Sequence, residues 1–270
     1  MANLAYLNVG CGPHYHEDWV NLDFVSTGPG VIAHNLLKGI PFENDRFEVV
    51  YHSHVLEHFS KADGQRFIAE CYRVLKPGGI LRIAVPDLQK IITEYVSLMA
   101  KMKESADDPH LIASYDWILL ELFDQMVRNK PGGGMVSFLE QDDLINEDYI
   151  VQRCGYEVNT IIENHRQSKK SGQPSGFIPM LKKVYGALKS LKKRYKGTYY
   201  EIGKFRSSGE IHQWMYDEHS LARLLKATGF KQVTTTNAFE SAINDWPKFG
   251  LETVNGVVRK PDSLFMEAVK

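Results

Sequence analysis

The stretch Leu7-Asn8-Val9-Gly10-Cys11-Gly12-Pro13 turns a short apolar run into a glycine loop, with few residues before it. The run reads as a buried strand. Two glycines a residue apart supply the φ > 0 conformations of a sharp turn and a surface without Cβ atoms. A domain opening on such a unit places its first strand in the middle of a sheet. The loop then lies at the sheet's carboxyl edge, where open α/β folds hold their ligands.

The features that follow come in a telling order. Trp19-Val20-Asn21-Leu22-Asp23 reads as a second strand ending in a carboxylate, and Phe47-Glu48-Val49-Val50-Tyr51-His52 as a buried strand. Arg73-Val74-Leu75-Lys76-Pro77-Gly78-Gly79 reads as a helix end and turn, and Ile80-Leu81-Arg82-Ile83-Ala84-Val85-Pro86-Asp87 as one more strand. Near the end, Asp217 is placed to cap a helix carrying Leu221, Leu224 and Leu225 and stopped by Gly229. Lys231 to Thr236 and Ser263 to Val269 read as the closing strands, joined through Trp246-Pro247.

This succession, with Ile40-Pro41-Phe42, Leu56-Glu57-His58 and the Arg73 to Gly79 turn in sequence, resembles the class I S-adenosylmethionine-dependent methyltransferases, in particular the type 11 branch. The resemblance is close over roughly the first ninety residues and looser over the last sixty. The tail, Lys260-Pro261-Asp262-Ser263-Leu264 and Glu267-Ala268-Val269-Lys270, resembles methyltransferases of cell-surface polysaccharide assembly. The resemblance implies a Rossmann-like, doubly wound α/β domain. Its seven-stranded, mostly parallel sheet would have the order 3-2-1-4-5-7-6 and an antiparallel last strand.

It also implies roles. Asn8 and the Gly10-Cys11-Gly12 backbone would face the methionyl part of S-adenosylmethionine, and Asp23 would accept hydrogen bonds from both ribose hydroxyls, bonds strengthened by its charge. The family commonly has an aspartate after the third strand for the adenine amino group; this chain has His34-Asn35-Leu36, so Asn35 and Leu36 take that place. His52 and Ser53 would lie beside the methionyl group. The helix usually found between glycine loop and acidic strand is nearly absent, since only Pro13 to Asp18 separate them. His14, His16 and Glu17 read there as exposed polar residues.

A chain of 270 residues can bury a large core. Its formal charge of −1 supplies no basic field for nucleic acid. Three cysteines, Cys11, Cys71 and Cys154, are an odd number without metal-ligand spacing, which suits a reduced, cytoplasmic protein. No apolar run has the length of a membrane span, and the chain reads as soluble.

The domain reading is a cofactor-binding core at 1–87 and 211–270, interrupted by a helical insertion at 88–210 that would form a lid or acceptor-binding region. Leu88, Ile91, Ile92, Tyr95, Leu98 and Met102 recur at helical spacing, as do Ile112, Tyr115, Leu119, Leu122, Phe123 and Met126. The second stripe also suits an interface between copies in a homo-oligomer. A third helix is expected from Asp142 or Asp143 to Gly155, and a loop over 167–176. The basic stretch 180–196 has two readings: a solvated lysine-rich face, or peripheral contact with an anionic membrane or a phosphate-bearing substrate.

Two rival chemistries fit the sequence less well. A dinucleotide fingerprint needs glycine where Tyr15 stands, and Asp23 comes too early for its acidic partner. His54-Val55-Leu56-Glu57-His58 matches the H-x-x-E-H pattern of some zinc peptidases, in which histidines four apart on one helical face share an ion. The same string is what the methyltransferase resemblance implies after the fourth strand, and no metal site is expected.

The expected function is methyl transfer from S-adenosylmethionine to a hydroxyl of a sugar or glycan precursor. The alternatives are another small-molecule acceptor, and a catalytically silent cofactor-binding partner in a glycan-assembly complex. A sugar hydroxyl needs a base poised near neutral pH, for which histidine is suited. His212 is the first candidate, with Glu210 as its orienting partner; His58 is the second, and Asp87 would hold the acceptor or assist.

Overall fold

The computed structural model describes residues 5–171 and 198–270. The basic stretch 180–196 lies outside the described residues. The chain divides into two compact units, one made of Met1–Lys90 and His212–Lys270, the other of Ile91–Ile211.

In the first unit, seven strands form one sheet: β1 (Tyr6–Val9), β2 (Val20–Asp23), β3 (Val31–Ala33), β4 (Phe47–Ser53), β5 (Leu75–Pro86), β6 (Lys231–Thr236) and β7 (Ser263–Val269). Their order is β3-β2-β1-β4-β5-β7-β6, as the resemblance implied. The first five run parallel, and β7 runs antiparallel to both β5 and β6. The Lys76 to Gly79 turn lies within β5, where the register against β4 shifts between Phe47–Leu75 and Val49–Ile80. Because β1 to β5 are parallel, Gly10, Asp23, Asn35, Ser53 and Asp87 all stand at or just past strand ends at one edge.

Alternation along the strands sends residues to two different cores. Leu7, Val9, Val50, Leu81 and Ile83 meet Phe67, Ile68, Cys71 and Val74 of helix α1 (Lys61–Val74), together with Leu221 and Leu225 of a later helix, Glu218–Thr228. That later helix starts on Asp217, whose carboxylate accepts from Ser220 N while Ser220 Oγ accepts from Asp217 N, and it ends on Gly229 in the left-handed region. The opposite faces of β1 and β4 are covered by Trp19, Trp246 and Phe249, packed edge-on around Tyr6 and Tyr51. The link from Pro13 to Asp18 contains no helix. His14 Nε2 is 2.7 Å from Gly250 O and the His16 ring stands edge-on to Phe249, so these histidines pack on the domain rather than lying exposed.

The second unit is helical. The helix α2 (Leu88–Met102) begins on the last residues of the first unit. It is followed by α3 (Pro109–Leu119), which Asp108 caps and which continues through a π turn at Leu120–Asp124 to Val127. Next come α4 (Gly133–Leu139), α5 (Glu147–Cys154), α6 (Tyr156–Ser171) and α7 (Thr198–Arg206), the Glu218–Thr228 helix of the first unit being α8. Trp117, Leu139, Ile150, Cys154, Val158 and Ile162 form this unit's core.

The glycines at 132–134 open the next helix, and two bounds differ from the sequence reading. The Asp124 carboxylate accepts from Gly134 N (2.6 Å) and Met135 N (3.4 Å), supplying from a distance the cap that starts α4. The helix expected from Asp142 or Asp143 starts at Glu147, after the Asp143 to Asn146 turn, although it does end at Gly155. Of the loop expected over 167–176, residues 167–171 continue α6, and 172–176 lie outside the described residues.

One interaction in the sheet was not anticipated. Arg82 of β5 is fully buried. Its guanidinium donates to Glu252, to Glu267 Oε1 (2.6 Å), and to the carbonyls of Asn237 (2.7 Å) and Glu240 (3.0 Å), with the Trp246 ring 4.3 Å away. Arg82→Met would leave two buried carboxylates facing each other without a cation. Removing one partner of a buried ion pair costs about 3–5 kcal/mol. Urea unfolding followed by tryptophan fluorescence should show a loss of that size; a loss under about 1 kcal/mol, the range of exposed pairs, would mean that the network is not structural.

Candidate functional site

The glycine loop is built on two different constraints. Gly10 has φ +67°, and a Cβ there would meet Val55 Cγ2 at 2.2 Å, so its lack of a side chain serves packing. Gly12, with φ +56°, has nothing within 4 Å of its Cβ position and faces open space. Its amide donates to Asp23 Oδ2 at 2.7 Å, and Phe24 N donates to Oδ1 at 2.6 Å. Loop and carboxylate, eleven residues apart, are thus locked together. Thr27 Oγ1 donates to Gly12 O, closing the loop from its other side. The Cys11 thiol beside it is pushed up to about 11 by burial and by the charge of Asp23, and so stays protonated.

The other residues expected around a cofactor are more dispersed. Asn35 uses its side-chain oxygen to cap the short 3₁₀ turn Leu36–Lys38, accepting from Leu37 N at 3.0 Å. Leu36 packs against the core. Asn8 lies mid-strand with its side chain buried. The His52 ring is fully buried edge-on to Phe67, and burial pushes it down to about 4, which keeps it neutral. Ser53, half-buried, stands at the end of β4. Asp87 accepts from Lys90 N at 3.1 Å, capping α2, and its peptide bridges to Tyr216.

After β4 the chain turns through His54, which has φ +55°, and a 3₁₀ turn at Leu56–His58. Val55 packs on Gly10, so this turn sits directly against the glycine loop. The segment after His212 is tied to it by backbone: Gln213 N and Trp214 N both donate to Glu57 O, at 2.7 and 3.2 Å, and Gln213 Nε2 donates to His58 O at 2.8 Å. His212 and His58 therefore come together, their ring centroids 4.8 Å apart and their planes at 87°. Glu57 completes the group, and one ligand-type atom from each of Glu57, His58 and His212 lies within 4.8 Å of the other two.

Glu57 is the residue that the sequence reading left without a role. It is fully buried, and neither carboxylate oxygen has a hydrogen-bond partner; His54 Nδ1 stands 3.3 Å from Oε1. Burial pushes this carboxyl up, but His54, His212 and His58 together outweigh it and hold the group down at about 2. Glu210, expected to orient His212, does something else: it lies 3.3 Å from Arg128 and accepts from Gly132 N at 3.3 Å. The carboxylate beside His212 is Glu57. The signal was available in the Leu56-Glu57-His58 string, but its partner lies 155 residues downstream.

Residues 24–83 match the family model described as a methyltransferase domain. A protein of Mycolicibacterium smegmatis, named "Probable S-adenosylmethionine-dependent methyltransferase", is 36% identical over 98 residues; the match covers 30% of this chain and 37% of that protein. The chain thus spans little more than a third of the length of that curated relative. Among solved structures, a SAM-dependent methyltransferase from Archaeoglobus fulgidus is similar over 98% of this chain and 85% of its own, with 12% identity and a TM-score of 0.39. One from Thermotoga maritima is similar over 98% and 81%, with 10% identity and a TM-score of 0.37. The cofactor that the family and relative names imply is S-adenosylmethionine, and the stretch from Phe24 to Ile83, which leads from the Asp23 strand end into β5, is the part of this chain that matches a methyltransferase domain.

Proposed function

We propose that the chain transfers a methyl group from S-adenosylmethionine to a hydroxyl of a sugar or glycan precursor. The observation that carries the methyl-transfer reading is the Gly12–Asp23 lock, an open glycine amide bonded to a strand-end carboxylate at the carboxyl edge of a parallel sheet. The sugar or glycan acceptor is favoured by the resemblance of the Lys260 to Lys270 tail to polysaccharide-assembly enzymes.

The residues fit the cofactor on two counts. The space over Gly12 is where a side chain would stand, and a ligand can approach the backbone there. Each Asp23 oxygen accepts one backbone bond, and an ionised carboxylate has about four acceptor sites, which leaves one per oxygen for a ribose hydroxyl. S-adenosylmethionine supplies a methyl group on a sulfonium, and the rest is positioning of the acceptor oxygen in line with it. Removal of the acceptor proton falls to the group formed by His212, His58 and Glu57, held next to the glycine loop through the Val55–Gly10 contact.

S-adenosylhomocysteine should bind and raise the melting temperature by mass action. Asp23→Ala should weaken that binding by about 1.5–3 kcal/mol, the worth of hydrogen bonds to a charged group. Calorimetry giving wild-type affinity in the mutant would remove the ribose role.

The two glycines should behave differently. Gly12→Ala meets only left-handed strain, about 1–2 kcal/mol, and should fold while losing affinity for S-adenosylhomocysteine. Gly10→Ala adds the collision with Val55 and should destabilise the fold by more. Equal melting temperatures for the two variants would contradict the packing role of Gly10.

With an acceptor that supports turnover, His212→Ala should lower the rate by about 10²- to 10⁴-fold, the span for loss of a proton-transfer group, and leave S-adenosylhomocysteine affinity nearly intact. An unchanged rate would exclude His212 from the chemistry and leave His58.

A further inference from the structure

We propose that Glu57, His58 and His212 form a binding site for one divalent transition-metal ion, of the zinc class, beside the glycine loop. The donor atoms already converge, lying within 4.8 Å of one another. A tetrahedral zinc ion with bonds near 2.1 Å needs donors about 3.4 Å apart, so the donor atoms close on a bound ion by up to about 1.4 Å.

The second observation is the state of Glu57. A fully buried carboxylate, with His54 Nδ1 3.3 Å from Oε1 as its close polar neighbour, carries a desolvation cost that nearby positive charge offsets. Imidazoles surround it, and a doubly charged ion among them is the stronger compensation. The donor set names the ion class. Two imidazoles with one carboxylate are the ligands of catalytic zinc sites that keep an open position, whereas magnesium and calcium take oxygen donors.

The surroundings fit as well. His54 is fixed by its Nε2, 2.8 Å from Ser263 Oγ, and turns Nδ1 toward Glu57 Oε1, as a positioning residue behind a metal-ligating carboxylate does. It is held there with a backbone φ of +55°, a conformation that costs energy and persists where the surroundings impose it. This is not the H-x-x-E-H peptidase arrangement. The turn at Leu56–His58 is a 3₁₀ turn with His54 outside it, so His54 and His58 do not share a helical face, and His212 takes the place of the second histidine.

Three protein ligands leave room for an oxygen donor from outside. On the methyl-transfer reading, that donor is the acceptor hydroxyl: with the ion bound, the three residues act through it rather than as the base themselves, and the hydroxyl, made more acidic, gives its proton to water. The metal site rests on that reading for its use, not for its existence.

The test uses the full chain, stripped with chelator, dialysed, and titrated with Co²⁺ followed in the visible spectrum and with Zn²⁺ followed by calorimetry. One Co²⁺ per chain, with d–d bands of four- or five-coordinate intensity and unmoved by millimolar Mg²⁺, is the expected result. Glu57→Gln and His212→Gln should each weaken binding at least tenfold, and His54→Gln by about 10- to 100-fold. Circular dichroism confirms that each variant is folded, and the wild-type titration stands without them. No Co²⁺ bands in the wild type, or equal affinity in folded Glu57→Gln and His212→Gln, would overturn the site. S-adenosylhomocysteine binding to the metal-free chain separates the two proposals: its retention without any metal binding sinks only the metal site, and its loss with metal binding intact sinks only the methyl-transfer reading.

Discussion

A guanidinium without access to water, Arg82 in β5, organises the first unit. Taking that charge out of water costs several kcal/mol, and the protein offsets it by satisfying the donors in one plane with Glu252, Glu267 and the carbonyls of Asn237 and Glu240. The consequence is topological. Glu267 lies opposite Arg82 in the antiparallel register of β5 and β7, and the Asn237 to Glu252 segment is drawn over the same face. That segment brings Trp246 and Phe249 onto Trp19 and Tyr51, which closes the second core. In the same sheet, the parallel strands β1 to β5 share one carboxyl edge.

That edge carries two attachments, and each divides its work between backbone and side chain. At the glycine loop, Gly10 makes the turn and the packing possible, while Gly12 and Asp23 present the polar surface. At the turn after β4, the peptide oxygen of Glu57 accepts from Gln213 and Trp214 and fixes where the returning chain runs. The side chain of Glu57 faces His212 and His58. Val55, packed on Gly10, sets the spacing between the two attachments.

What was legible in the sequence was mainly what is local. The glycine loop, the carboxylate at the end of β2, the Asp217 cap and the Gly229 stop each depend on residues within a few positions of one another, and the strand order came from the resemblance over the same stretch. What was missed depends on long-range pairing. Adjacency pointed His212 toward Glu210, but Glu210 is committed to Arg128 and Gly132. Asp124 starting a helix nine residues away could not be read from capping rules, which look one turn ahead. Arg82 did leave a trace. A charge inside Ile80-Leu81-Arg82-Ile83-Ala84, a run otherwise fit for full burial, requires an opposite charge in an equally apolar run, and Met266-Glu267-Ala268 is one.

The division of labour at Glu57 also decides how its chemistry can be isolated. Replacing the side chain leaves the carbonyl in place, so the bonds from Gln213 and Trp214 persist and His212 stays beside the turn. Glutamine keeps the volume of a fully buried group while it removes the charge and exchanges one acceptor oxygen for an NH2 donor, so a fold that survives the change reports on polarity, not on packing. His58 and His212 differ here. Their rings stack edge-on against each other, and truncating either to alanine opens a gap next to the glycine loop as well as deleting a nitrogen. The charge at Glu57 is therefore the one element of this cluster that can be removed while its geometry is held constant.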